Sequence, residues 1–181
     1  MSKNRSLPVV FVVLALLGGC AATVQRSQIP ESAPSMNIPA ESARRVVLNM
    51  QLDPRHPQDS GWNDFKQEWI DITKQQSLAQ GCEFAAQDGA PQPTGQAGTL
   101  MVVRIDDYRH VGVAARVMLG IMTGNAFIDA KVEFRDLQSG KLYGERSYNT
   151  SSSAMQGVFA PVTPKQIYAL ADEALAEIKR R

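Results

Sequence analysis

The sequence predicts an α+β fold: a mainly antiparallel sheet of four to five strands with two helices packed on one face. Three observations predict it. Ile128, Ala130, Val132 and Phe134 alternate with Asp129, Lys131, Glu133 and Arg135, a period of two that marks a strand with one wet face. Trp62, Phe65, Trp69 and Ile72 recur at spacings of three and four, which puts them on one face of a helix. The elements then run strand, helix, short strand, three-stranded meander, helix. That order buries both helices most simply on one side of a sheet.

The elements justify themselves in turn. Arg45 to Leu52 is almost continuously apolar, as a central strand is, and Asp53-Pro54-Arg55-His56-Pro57 ends it because proline cannot continue a ladder. Trp62 to Gln80 is the first helix, with Asp59 or Ser60 able to cap its start and Gly81 able to stop it. Its aromatic face reads as a core stripe; a platform for a ligand or glycan is the less common use of such a face. Cys82 to Gln87 is a short strand. Asp88 to Gly98, with two prolines and three glycines, is a loop. In Thr99 to Tyr108, Met101, Val103 and Ile105 line one face, and Leu100, Val102, Arg104 and Asp106 the other. Phe127 to Asp136 turns at Leu137–Lys141 and returns as Leu142 to Thr150. Ser151 to Pro161 is a small-residue loop. The last helix opens on Thr163 as cap, Pro164 at its first position and Gln166 closing a capping box. Ile167, Leu170, Ala174, Leu175 and Ile178 form its apolar face, and Lys179, Arg180 and Arg181 suit its C-terminal dipole.

The N-terminus carries an address. Lys3 and Arg5 precede an apolar run, Leu7 to Leu17, that is too short to span a bilayer. The run closes on Leu17-Gly18-Gly19-Cys20. This stretch resembles the lipobox of bacterial lipoproteins. The resemblance implies cleavage between Gly19 and Cys20, diacylglycerol on the Cys20 sulfur and an acyl chain on the new amino terminus, with no other cofactor. Each buried methylene contributes about 0.8 kcal/mol, so several chains on one residue hold it firmly in a membrane. Ala21, where an inner-membrane lipoprotein of the enteric type carries Asp, points to the outer membrane rather than the inner, facing the periplasm. The expected organisation is residues 1–19 as signal peptide, 20–42 as lipidated cysteine and flexible Pro-rich tether, and 43–181 as one periplasmic domain. Pro30, Pro34 and Pro39 would keep the tether semi-extended, with a reach of at most about 65 Å.

Removal of the signal takes Lys3 and Arg5 and no acid, leaving 17 basic against 18 acidic residues, a net charge of −1. That balance supplies no electrostatic footprint for nucleic acid. With Cys20 acylated, Cys82 is single and no intramolecular disulfide is available. A buried apolar role for Cys82 competes with a reactive thiol, and burial is the commoner fate.

A search for chemistry finds no catalytic motif. His56 and His110 lack any ligand spacing for a metal. Asp106 and Asp107, as neighbours in a strand, should point to opposite faces and form no dyad. No phosphate loop or nucleophile elbow occurs, and Ser151-Ser152-Ser153 reads as loop. The expectation is a protein that is not an enzyme and holds no metal.

Val111 to Ala126 is the unusual stretch. It is apolar and glycine-rich, with Arg116, Gly120 and Gly124 spaced by four. Small residues at that spacing let backbones approach closely, so Arg116, Gly120 and Gly124 are the candidate contact surface; a glycine-rich hairpin tucked against the sheet is the plainer alternative. The strand Val102-Val103-Arg104-Ile105, Arg116 with Gly120 and Gly124, the alternating strand and Ser139-Gly140-Lys141 together resemble a family of bacterial lipoproteins known as domain of unknown function 4410. The resemblance implies an envelope lipoprotein domain and carries over no catalytic residue. The expected function is a non-enzymatic binding or assembly module, anchored to the membrane, whose partner is another envelope protein or further copies of itself. A lipid-anchored cell-wall hydrolase and a lipid or small-ligand carrier are the alternatives.

Overall fold

The computed structural model of the protein describes residues 23–26, 36–58, 60–109, 127–151 and 162–180. Its strands are β1 (Thr23–Arg26), β2 (Arg45–Leu52), β3 (Glu83–Gln87), β4 (Thr99–Arg109), β5 (Phe127–Asp136) and β6 (Leu142–Ser151). Its helices are α1 (Ser60–Ala79) and α2 (Val162–Lys179), and a short 3-10 turn spans Ser42–Arg44.

The strands form one sheet in the order β1-β6-β5-β4-β2-β3. β4, β5 and β6 make the expected meander, and β1 pairs antiparallel with β6. β2 pairs parallel with both β3 and β4. Parallel neighbours need a long crossover, and α1 supplies it between β2 and β3. The sheet is therefore mixed but mostly antiparallel, with one strand more than the four to five expected. The sixth is β1, which lies inside the stretch read as a tether.

Both helices cover the same face, as predicted. Val46, Leu48, Met50 and Leu52 of β2, Met101, Val103 and Ile105 of β4, and Ile128, Ala130, Val132 and Phe134 of β5 join Trp62, Phe65 and Trp69 of α1 and Ile167, Leu170, Ala174, Leu175 and Ile178 of α2 in one buried cluster. On the opposite face Val47, Leu100, Val102 and Leu137 form a second, smaller cluster. The 88–98 loop is tied back at this end of the sheet: the Thr94 amide donates to the Leu137 carbonyl at 2.8 Å and the Leu137 amide to the Gly98 carbonyl at 2.9 Å.

Met36 and Ile38 are also buried in the main cluster. Gly144 makes room for this: a β-carbon there would overlap the Met36 side chain. The segment expected to be tether up to residue 42 thus touches the sheet at β1 and again at Met36. Gly81, at φ 74°, ends α1 as predicted, because a left-handed residue after the last turn suits glycine. α2 begins at Val162, one residue before the expected cap.

Candidate functional site

The candidate contact residues Arg116, Gly120 and Gly124 lie outside the described residues, as do Gly19, Cys20 and His110. The structure does fix where the 110–126 stretch leaves and rejoins the sheet. Arg109 and Phe127 are register partners at the ends of β4 and β5. The stretch therefore connects two adjacent antiparallel strands at one end of the sheet.

Aromatic side chains gather beneath that end. Tyr108 stacks on Phe65 with ring centres 4.6 Å apart and planes at 19°. Trp62 meets Tyr108 edge-on at 6.0 Å, and His56 does so at 6.3 Å. Trp62, Phe65 and Trp69 are all buried. The aromatic face of α1 is thus filled by the protein's own core, which removes it as an exposed ligand platform.

Beside this cluster lie the carboxylates that sequence alternation separated. The register of β4 against β5 shifts between Ile105 and Asp107. Such a bulge inserts one extra residue and breaks the two-residue alternation. Here the extra residue is Asp106, and Asp107 becomes the partner of Asp129. Asp129 has a raised pKa, from its own burial first and then from the charges of Asp107 and Asp106. The expectation that Asp106 and Asp107 act on opposite faces therefore fails, because the bulge resets the pleat between them. The Asn149 amide donates to Asp129. His56 Nε2 lies 3.7 Å from Asp107 Oδ1 and 3.3 Å from the Asp106 carbonyl oxygen. His56 is a positioned residue rather than a free loop histidine. Even so, no group of three or more His, Cys, Asp or Glu among the described residues has the geometry of a metal site.

The loop after β2 holds its own ion pair. Asp53 accepts from Arg55 Nε at 2.9 Å, from Arg55 Nη2 at 2.9 Å and from the Arg55 amide at 2.8 Å. The Arg55 side chain lowers the Asp53 pKa to about 2. The Asp53 amide donates to the Ile105 carbonyl at 3.0 Å, which seats this loop on the end of β4.

The opposite, wet face of the sheet carries a charged ladder. Glu133 is buried between Arg104 at 3.0 Å and Arg135 at 2.7 Å. Arg135 also donates to the Gly140 carbonyl, which joins the ladder to the β5–β6 turn. In that turn Asp136 accepts from the Ser139 hydroxyl at 2.5 Å, and this bond holds its pKa down. Asn49, fully buried on the same face, donates to the Gln87 and Gly89 carbonyls at 3.1 Å each. These bonds are structural: they tie β2 to β3 and to the loop behind it. Cys82 is buried, with its thiol 3.4 Å from the Ala43 carbonyl, which favours the packing role over the reactive one.

Residues 75–156 match the family model described as "Domain of unknown function (DUF4410)". Over that stretch the chain is similar to this family. The match runs from the last turns of α1 to just beyond β6, so it includes β3 to β6 and the 110–126 connection, and the motifs from Val102 to Lys141 that carry the resemblance fall inside it. None of the curated proteins compared matches the chain. Among solved structures, the PelC dodecamer from Paraburkholderia phytofirmans is similar at 12% identity, over 88% of this chain and 99% of that one, with a TM-score of 0.50. A variant of the same protein in a second crystal form gives 12% identity, 88% and 98% coverage and a TM-score of 0.49. Protein XCC0632 from Xanthomonas campestris gives 9% identity, 88% and 95% coverage and a TM-score of 0.45. At this identity the first likeness speaks for the fold.

Sequence reasoning marked the 110–126 stretch by its apolar composition; its place of attachment comes from the register of β4 and β5. It missed the acidic group beside it, because no sequence signal marks the bulge at Asp106. No helix among the described residues is long and apolar enough to cross a membrane.

Proposed function

We propose that the protein is an envelope lipoprotein, anchored through acyl chains on Cys20 in the outer membrane and facing the periplasm, that works as a non-enzymatic binding or assembly module. The observation that carries the anchor is Leu17-Gly18-Gly19-Cys20 at the close of an apolar run behind Lys3 and Arg5. Two contacts support the module reading: Arg55 is paired with Asp53 and the Asn149 amide donates to Asp129, so these polar groups are spent on one another.

The partner is another envelope protein or further copies of the chain. A protein of the same fold, PelC, is a dodecamer, which supports self-assembly as the first form to test. The 110–126 connection, with Arg116, Gly120 and Gly124, is the surface we assign to that contact.

Two measurements test this reading. Cys20→Ser is expected to abolish incorporation of labelled fatty acid and to leave the precursor uncleaved; normal labelling of the variant refutes the anchor. A photo-crosslinking residue at Arg116 is expected to capture a discrete adduct in the envelope. Absence of any adduct there, with adducts from Lys74 on the helical side instead, refutes the assigned surface.

A further inference from the structure

The register of the edge strand locates the anchor. Thr23 pairs with Ser151, Ser151 with Phe127, and Phe127 with Arg109. These four residues mark one end of the sheet, the end from which the 110–126 connection departs. Thr23 is three residues after Cys20, and three extended steps span at most about 11 Å. The backbone of Cys20 is therefore confined to the neighbourhood of this end.

The proline-bearing stretch that follows does not lengthen the leash. Arg26 is held opposite Tyr148. Met36 is packed over Gly144, four residues further along β6. Four strand residues rise only about 13 Å, so Arg26 and Met36 lie on the same sheet edge. The expected 20–42 tether reaches its full length only if it is free from Cys20 to the fold, and the pairing of β1 with β6 holds the chain from Thr23 onward.

Building on the proposed acylation of Cys20, we infer that this end of the sheet, marked by Thr23, Arg109, Phe127 and Ser151, rests on the surface of the leaflet that holds the acyl chains. The sheet then stands upright, with the β5–β6 turn at residues 137–141 facing away from the membrane. β5 has ten residues, which places its two ends about 30 Å apart. The occupant of the strand ends is a lipid surface, and the contact assigned to Arg116, Gly120 and Gly124 is then one between chains anchored side by side in the same leaflet. Exposed charges of both signs lie near it, Arg55 and Arg109 with Asp106 and Asp107. Contact with a bilayer is therefore set by the anchor and not by attraction to anionic headgroups, and it resists salt.

Energy transfer to the membrane tests the placement. A donor dye is attached at Arg109→Cys or at Gln138→Cys, each in a Cys82→Ala background, in the full acylated protein. The protein is reconstituted into phosphatidylethanolamine–phosphatidylglycerol vesicles carrying acceptor-labelled headgroups. Transfer from position 109 is expected to exceed that from position 138 at least twofold, unchanged in high salt. Val24→Pro with Gln25→Pro, which breaks the β1 ladder, is expected to shrink this ratio towards one while the protein still floats with the vesicles. Equal transfer from both sites in the unbroken protein, with flotation intact, overturns the orientation and leaves the anchor standing. Failure to float, or absence of acyl label on Cys20, overturns the anchor and the orientation with it.

Discussion

Replacing Glu177 by Gln removes the negative charge that answers Arg146 inside the layer between sheet and helices. Arg146 is the register partner of Val132, so it points to the helix-covered face. Its Nη2 lies 3.2 Å from Glu177 Oε2, and the two side chains are 10% and 2% exposed. Arg180 reaches the other carboxylate oxygen at 2.9 Å but is 55% exposed. The Arg146 Nε has no hydrogen-bond partner among the described residues. Arg146 is thus a buried cation that cannot regain water without lifting the last turn of α2.

Breaking a buried pair from one side costs about 3–5 kcal/mol, since it strands the remaining charge. The partial exposure of Arg146 favours the lower end, about 3 kcal/mol. For a domain of this size each kcal/mol moves the melting midpoint by about 2–4 °C, so Glu177→Gln is expected to melt about 6–12 °C lower. Arg146→Met is expected to cost less, because Glu177 keeps Arg180. The double variant Arg146→Met, Glu177→Leu is expected to recover most of the loss, since apolar replacement of a whole buried pair is often neutral. Thermal and urea unfolding of the four proteins closes the cycle. A Glu177→Gln midpoint within about 2 °C of wild type, set against the conversion above, or a double variant no better than the sum of the singles, refutes the account of Arg146 as a stranded cation.

Three further outcomes follow from packing and charge. Phe65→Ala removes the ring stacked on Tyr108 in the core and is expected to cost about 3–5 kcal/mol, read as a lower urea midpoint at unchanged slope. Gly98→Ala would place a β-carbon 2.7 Å from Leu137 Cδ2 and 3.1 Å from the Arg45 carbonyl oxygen; the expected loss is about 1–3 kcal/mol, while Gly89→Ala, with nothing within 4 Å, should show only the milder strain of its positive φ. Asp129 has its folded pKa raised, so the native state holds its proton more tightly than the unfolded chain, and stability falls as pH rises from the unfolded value through the folded one. Asp129→Asn is expected to remove that fall and to unfold at higher urea than wild type at pH 7, with no such gain at pH 3; an equal gain at both pH values contradicts the assignment.

The legible parts of this protein were those with a strong local period. β5 alternates perfectly, β2 is a continuous apolar run, and the Trp62–Phe65–Trp69 stripe is a helix face that nothing else explains. Each was placed within a residue or two, and Leu100 and Val102 were correctly put on the face away from Met101, Val103 and Ile105. The candidate contact residues were legible only as a composition, and the described structure supplies their point of attachment. β1 was not legible at all. Thr23–Arg26 has four residues and no period, and it is a strand only because β6 offers an unpaired edge.

By itself the sequence determined the α+β class, the order of seven of the eight main elements, with bounds within two residues wherever it gave them, and the helix-covered face. These depend on periodicity, caps and turn residues, all of which act between neighbours in the chain. Only the tertiary structure decided the parallel pairing of β2 with β3 and β4, the bulge that sets Asp106 and Asp107 beside Asp129, the burial of Arg146 against Glu177 and the return of the supposed tether onto β6. Each of those joins residues far apart in sequence. Their energies come from register and from exclusion of water, and neither exists until the sheet has closed around them.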